Sequence, residues 1–339
     1  MIDRRDPAAA RGQAPTISTS LSRRVRGPLS LALLAASLVA ILACAAPARA
    51  QVAGAFPHLE PWPAALALGG AEEGLGRGTE ATLENPAGML AVPGKGFAFS
   101  HASLFEGGLV HHQAAAISWA RSAKRMRWQG SNIVTEAGEV RSAWGLALTN
   151  LSGDLPGSDT YGELQVGVAY ARRLPLAIDG GIRVRFLQAR STVDGSDGGG
   201  YALDLGLSGE IAGFRLGGVA RSFFSDTRWD RSLDEPLPAG FDLALERPLA
   251  GGVSSRFGAT IRENGEPQRV TGGASWDVPG MPLALLGAAS LRDTRAENRV
   301  EPSAGATFRV GIFAAAYAVR FGPAGLGEIH RFSLRVAVP

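Results

Sequence analysis

Cysteine is nearly absent: Cys44 is the single one in 339 residues, and it sits in an N-terminal segment that reads as cleavable. A mature chain without cysteine can form neither disulfides nor a thiolate metal site. Charge of one sign is also scarce, because 34 Lys and Arg face 31 Asp and Glu. Most of that small excess lies in the first 28 residues, so the mature protein is near neutral. Nucleic-acid binding has no electrostatic footprint in such a chain. After the N-terminal segment no apolar run approaches the ~20 residues of a membrane-crossing helix. What is plentiful is glycine, at 45 residues, beside a charged fraction of only 19%.

The N-terminus reads as an export signal over residues 1–50. Arg4, Arg5, Arg11, Arg23, Arg24 and Arg26 form a basic head, Leu29 to Cys44 an apolar core, and Ala48-Arg49-Ala50 an A-x-A exit before Gln51. The pattern is of Sec type. Arg23-Arg24 is a weak twin-arginine pair, and Ile41-Leu42-Ala43-Cys44 is a lipoprotein box in which Leu42 fits poorly. The head is long, which leaves a downstream start codon open. Taking 50 residues from 339 leaves 289, enough for one large all-β domain.

Periodicity points to strands of membrane-crossing length. In Ile312–Phe321, Phe313, Ala315, Tyr317, Val319 and Phe321 share one face, with Ala314, Ala316, Ala318 and Arg320 on the other. His330, Phe332, Leu334, Val336 and Val338 likewise oppose Ile329, Arg331, Ser333, Arg335 and Ala337. Ile182, Val184 and Phe186 oppose Asp179, Gly181, Arg183 and Arg185; Phe241, Leu243 and Leu245 oppose Asp242, Ala244 and Glu246. Strands of about ten residues suit a tilted crossing, whereas sandwich strands run to about five or six. Fourteen segments qualify, near 96–103, 111–121, 141–152, 163–172, 176–189, 200–210, 214–223, 240–249, 253–264, 268–277, 281–292, 301–310, 312–322 and 328–338. An even count fits a closed all-β, antiparallel transmembrane barrel. Tight connections (Arg173-Leu174-Pro175, Ile211-Ala212-Gly213, Ala250-Gly251-Gly252, Val278-Pro279-Gly280, Gly311) alternate with longer polar ones (Arg190–Gly199, Phe224–Ala239, Asp293–Val300). This is the asymmetry of periplasmic turns and extracellular loops. Ser122–Val140 breaks the rule: either the count slips there or a hairpin projects into the periplasm.

Ahead of the first strand, Ala65–Leu90 is rich in Gly and Ala and too irregular for a strand. Its elements Leu68-Gly69-Gly70-Ala71, Gly74-Leu75-Gly76-Arg77 and Asn85-Pro86-Ala87-Gly88 resemble the N-terminal signature of the FadL/PorV-type superfamily of outer-membrane barrels. The resemblance covers about 25 residues directly. It implies an N-terminal hatch over 51–95 inside a barrel over 96–339, with hydrophobic ligands binding in the lumen near the hatch, and an outer-membrane location. Asn85 and Pro86 suit a turn by their own chemistry, and a turn without ligand contact is the blander alternative. The chain departs from the fatty-acid transporters in its short loops; Phe223, Phe224, Leu233, Pro236 and Leu237 are the nearest thing to an apolar capture site. That departure favours the PorV-like branch. The end at Val336-Ala337-Val338-Pro339 lacks a terminal aromatic, so Phe332 would serve in assembly.

If the apolar faces meet lipid, the lumen collects Arg183, Arg185, Arg215, Arg256, Arg262, Arg292, Arg309, Arg320, Arg331 and Arg335 against Asp179, Asp204, Asp242, Glu246 and Glu328. Two readings stand: a ladder of ion pairs closing the interior, or spare guanidinium groups that receive an anionic head group. Asn85, Pro86, Ala87, Gly88, Arg183, Arg185, Arg320 and Arg331 are the candidate ligand and hatch residues. Catalytic and metal sites are not expected, nor is a cofactor. His111-His112 and His101 lie on early strands, the adjacent pair points to opposite faces and cannot chelate one metal together, and Ser118 near His111 is no more than chance. Asp194-Gly195-Ser196-Asp197-Gly198 lacks the later bidentate Glu of a calcium loop and reads as a hairpin tip; Glu72-Glu73 reads as a solvated or helix-terminal pair. The expected function is binding or passage of small hydrophobic or amphiphilic molecules such as fatty acids. The alternative is a non-transport partner in protein secretion or surface assembly. Partners are accordingly outer-membrane lipid and a hydrophobic ligand, or secretion-machinery or cell-surface proteins. A continuous apolar lumen with a lateral gap would support transport; a lumen sealed by arginine–carboxylate pairs would support the partner role.

Overall fold

A computed structural model describes residues 59–104, 108–129, 132–154, 159–192, 197–230, 233–234, 236–262, 267–294, 297–322 and 327–338. The expected signal over residues 1–50 lies outside them, as does the start of the expected hatch. The strands are β1 (Gly94–Leu104), β2 (Val110–Gln129), β3 (Asn132–Asp154), β4 (Thr160–Arg173), β5 (Ile178–Ser191), β6 (Gly198–Ile211), β7 (Phe214–Trp229), β8 (Leu233–Asp234), β9 (Gly240–Pro248), β10 (Val253–Arg262), β11 (Pro267–Asp277), β12 (Leu283–Thr294), β13 (Glu297–Val310), β14 (Phe313–Phe321) and β15 (Glu328–Val338). Fourteen long strands pair antiparallel with their sequence neighbours, and β1 pairs with β15 to close the ring. The two-residue β8 only flanks β7. All fourteen expected segments are strands.

Alternation sets the faces. Across β1 to β4 one row of partners, Phe97↔Ile117, Ile117↔Leu146 and Leu146↔Val168, is exposed on the outside. The next row toward the tight turns is aromatic: Trp119 pairs with Trp144 and Trp144 with Tyr170, the rings of the last two lying 4.6 Å apart. An apolar belt bordered by aromatics is what lipid and its head-group boundary select. One step inward in register, Ala98, Ala116 and Ala147 are buried. Their small side chains leave the lumen to another occupant.

That occupant is the chain from 59 to 93. Helix α1 (Pro63–Ala67) starts it, with Pro63 at the first helical position, followed by turns and two short 3₁₀ segments, Glu80–Thr82 and Pro86–Ala91. It touches the wall all the way round: Ser303 Oγ on β13 donates to Ala67 O, Thr271 Oγ1 on β11 to Gly69 O, and Ser100 Oγ on β1 to Pro61 O. Trp62 is fully buried and donates its indole N–H to Glu80 O at 2.9 Å, tying the start of the segment to its middle.

Three expectations need correction or resolution. The strand count holds at Ser122–Val140, because β2 and β3 stay paired out to Gln129↔Asn132 with register shifts around Ser122. β1 begins at Gly94 and β4 ends at Arg173, so this hairpin projects past its neighbours at the tight-turn end. Glu328 does not face the lumen: it lies in the outward parity of β15 with His330, to which it pairs at 3.2 Å. Arg292 and Arg309 keep the inward parity of β12 and β13, as expected, but are half-exposed near the barrel rims, and the Arg262 side chain lies outside the described residues.

Close approach of hatch to wall requires glycine at particular places. A Cβ on Gly206 of β6 would lie 2.1 Å from Asn85 Oδ1, and one on Gly181 of β5 would lie 2.4 Å from Ala87 N. Overpacking of this kind costs about 1–3 kcal/mol. Gly206→Val is therefore expected to leave the heat-modifiable barrel intact on a gel while exposing the hatch: limited proteolysis within residues 59–93 should accelerate about tenfold, the population change that 1.4 kcal/mol gives.

Candidate functional site

The hatch is held by one amide and a ring of ion pairs. Asn85 caps the Pro86–Ala91 turn, its Oδ1 accepting from Ala87 N at 3.1 Å. Its Nδ2 faces three carbonyls: Gly74 O at 2.6 Å within the hatch, Leu207 O at 2.9 Å on β6 and Gly218 O at 3.2 Å on β7. Proline at the next position fixes φ and lacks the N–H that would compete for these acceptors. Gly88 allows a crossing of chains, since a Cβ there would meet Gly76 O at 2.1 Å. The Asn85-Pro86-Ala87-Gly88 element is thus the knot that fastens hatch to wall.

Each candidate arginine has partners in the protein. Arg183 donates Nε to Asp204 Oδ2 at 2.7 Å and Nη1 to Thr82 O of the hatch at 2.9 Å. Arg185 bonds the same carboxylate through Nε and Nη2, at 2.9 and 3.1 Å, and also Gln165 and Ser222. Arg320 Nη2 donates to Glu60 Oε1 at 2.7 Å. Arg331 donates Nη1 to Pro61 O at 3.1 Å and Nη2 to His112 Nδ1 at 2.8 Å, which makes His112 the acceptor there. The four therefore occupy three places on the wall, all clasping the hatch or its neighbours.

The apparent surplus of arginine over acid comes from leaving out the hatch. Glu72 and Glu73, expected to be solvated, are buried. Glu72 faces Arg256 at 3.3 Å, and Glu73 faces Arg269 at 3.2 Å and Arg221 at 3.6 Å. Glu60 pairs with Arg269 and Arg320, Glu80 with Arg335 at 3.1 Å, and Arg77 of the hatch with Glu246 of β9. Sequence reasoning missed these hatch carboxylates; the signal was there, in acids within a Gly/Ala-rich prelude ahead of arginine-bearing strands. The ion-pair ladder is the arrangement observed. Burial raises the Glu60 carboxyl, but the Arg320 and Arg269 guanidinium groups reverse this and hold it well below the ordinary carboxylate range.

Space remains on both sides of the hatch. A cavity of about 220 Å³ opens toward the tight-turn end among Arg77, Glu80, Arg256, Asp277, Arg309 and Arg335. A pocket of about 40 Å³ lies between Pro61, Leu83, His112, Arg183 and Arg185; the two share no residue. At the loop mouth, Leu187, Ala189, Ala202 and Leu237 bury together, with Tyr161 and Trp229 packed against them. Leu237 thus comes from the apolar connection expected to be a capture site. Phe223 and Phe224 instead are exposed on the outside, because the positive φ of Ser222 (47°) and the register shift at Leu203/Leu205 rotate the strand there. Next to this cluster the β7–β9 ladder stops at Arg221↔Gly240 although β7 continues to Trp229. Leu237 and Ser225 bridge the break, N to Oγ at 2.8 Å.

The histidines do not converge. His101 and His111 stack at 5.5 Å on β1 and β2 while His112 is buried in the lumen. Ser118 bonds Thr79 at 2.8 Å on the inner side, away from His111. Among the described residues no group of three or more His, Cys, Asp or Glu could hold a metal ion.

No family model matches the sequence, and no curated protein does. The architecture does have relatives among solved structures. The CymD monoaromatic hydrocarbon channel superposes with a TM-score of 0.60 at 11% identity, covering 84% of this chain and 99% of that one. The two chains share one fold, a closed antiparallel β-barrel. The Ralstonia pickettii toluene transporter TbuX superposes with a TM-score of 0.51 at 12% identity, over 83% of this chain and all of that one. Identities this low tie this barrel to them by fold alone.

Two predictions concern the clasp. Asn85→Ala removes the amide shared by three buried carbonyls and is expected to lower hatch stability by about 2–4 kcal/mol, read as loss of hydrogen-exchange protection across residues 80–90. Asn85→Asp should be worse, since a carboxylate cannot donate. For Glu60, a folded pKa below the unfolded one means stability present above the ordinary carboxylate range and lost as pH falls through the lowered value. Acid release of the hatch should therefore shift to higher pH in Arg320→Gln, monitored by the same exchange.

Proposed function

We propose that this barrel passes small apolar molecules, of the size of single-ring hydrocarbons, across the outer membrane. The observation that carries the reading is the apolar mouth of Leu187, Ala189, Ala202, Tyr161, Trp229 and Leu237, set beside a break in the β7–β9 ladder. A cluster of that kind desolvates an apolar guest, and the break offers a way out that avoids the charged lumen. Two proteins of the same fold support the size class by their own descriptions, a monoaromatic hydrocarbon channel and a toluene transporter. A long acyl chain finds no comparable support, because the lumen beneath the mouth is filled by the hatch and its ion pairs. The signal read over residues 1–50 fits export to that membrane.

One observation favours the second reading, a non-transport partner barrel. The ion pairs close the lumen around the hatch, and a sealed barrel needs no cargo. The structural neighbours give that role no support.

Uptake into vesicles with lipopolysaccharide in their outer leaflet separates the two. Labelled toluene is expected to enter faster with the protein than without it, and Trp229→Ala combined with Leu237→Ser to reduce that gain several-fold, since the pair removes much of the apolar surface that would desolvate the guest. Equal rates with and without protein would remove the channel reading and leave the partner role.

A further inference from the structure

Glu84 precedes the Asn85 knot and has a burial that its neighbours do not explain. Its residue exposure is 1%, and neither carboxyl oxygen has a hydrogen-bond partner. The other hatch glutamates all face arginine; this one does not. Arg183 and Arg221 come nearest along the chain, donating to Thr82 O at 2.9 Å and to Leu83 O at 3.5 Å. Both are committed elsewhere, Arg183 to Asp204 and Arg221 to Asp242 and Glu73. The charged groups acting on Glu84 are Glu72, Glu80 and Glu73 of the hatch and Arg221 of β7, with three carboxylates outweighing one guanidinium. An ionised carboxylate there would be buried, unpaired and surrounded by like charge, which is among the costliest arrangements in a protein.

We propose that Glu84 is a proton-controlled latch: the hatch is seated with this carboxyl uncharged, and its ionisation at rising pH loosens the hatch from β6 and β7. The geometry provides the lever. Glu84 adjoins Asn85, whose amide holds Leu207 O and Gly218 O of those strands. A charge at residue 84 gains hydration only if this turn moves toward the lumen openings, and that motion breaks the amide's bonds to the wall. Burial foremost, then the neighbouring glutamates, lifts this carboxyl well above the ordinary carboxylate range, which agrees with the missing partners. A raised folded value means that the latch is complete at acid pH and weakens as pH rises. The steepest dependence is about tenfold in the closed-to-open ratio per pH unit. Glu60 acts with the opposite sign on the acid side, so the hatch is most secure between the two.

Two measurements on the full barrel in detergent or nanodiscs test this, and neither depends on transport, so they stand or fall separately from the channel reading. The infrared spectrum at neutral pH is expected to contain a protonated carboxyl band that vanishes in Glu84→Gln. Hydrogen exchange across residues 80–90, corrected for intrinsic rates, should lose protection as pH rises above the ordinary carboxylate range in the wild type, at up to about tenfold per unit, and stay flat in the variant. A band that persists in Glu84→Gln, or equal pH dependence in the two proteins, overturns the proposal. Should Glu84→Gln fail to assemble, Glu84→Met keeps the volume without a titratable group and takes its place.

Discussion

The structure depends on neutralising arginine inside a closed wall. Arg221, Arg256, Arg269, Arg320 and Arg335 all project from strands into the interior of the barrel, most of them buried, where an isolated guanidinium is costly. Their partners come largely from another part of the chain, because Glu60, Glu72, Glu73 and Glu80 are carried in by the hatch. Barrel and hatch are therefore not independent units that happen to nest. Removing the hatch would leave unpaired cations in the wall, and removing the wall would leave a segment rich in Gly, Ala and carboxylate with nothing to fold against.

Such pairs need short distances, and short distances need small residues. The alanine rows of β1 to β3 and the glycines of β5 and β6 bring the hatch backbone against the wall. The Asn85 amide then fixes where it lies, by bonding two strands and one hatch turn at once. Ion pairs supply much of the attraction but little register, since a long arginine reaches several positions. The amide and the glycine contacts supply the register.

Function follows from what this leaves open. With the centre filled, the apolar surface left at the mouth is the cluster beside the end of the β7–β9 ladder, while the tight-turn end holds a charged cavity. On the proposed reading, the closed hatch would preserve the permeability barrier and the apolar mouth would select by desolvation. The buried Glu84 lies at the junction, in the hatch but beside the knot that holds it to the wall.

How much of this was legible in the chain depends on range. Alternation is local, so Phe313 to Phe321 and Ile329 to Val338 announced their strands and faces, and the Gly- and Pro-bearing turns announced the order. The family resemblance carried by Asn85-Pro86-Ala87-Gly88 implied a hatch, again from a contiguous pattern. The pairing of charges was not legible, because Glu60 and Arg320 are separated by 260 positions and no local rule connects them. Glu72 and Glu73 looked solvated for that reason, and the arginines looked like a surplus. Where the strand rotates at Ser222, one residue of positive φ turned Phe223 and Phe224 outward, a change that composition does not carry. The sequence by itself determined the strands, their number and the small residues of the inner face, since these obey nearest-neighbour sterics and period-two alternation. Only the tertiary structure decided which charges meet and that Glu84 meets none, because burial and pairing are properties of the closed ring and not of any segment of it.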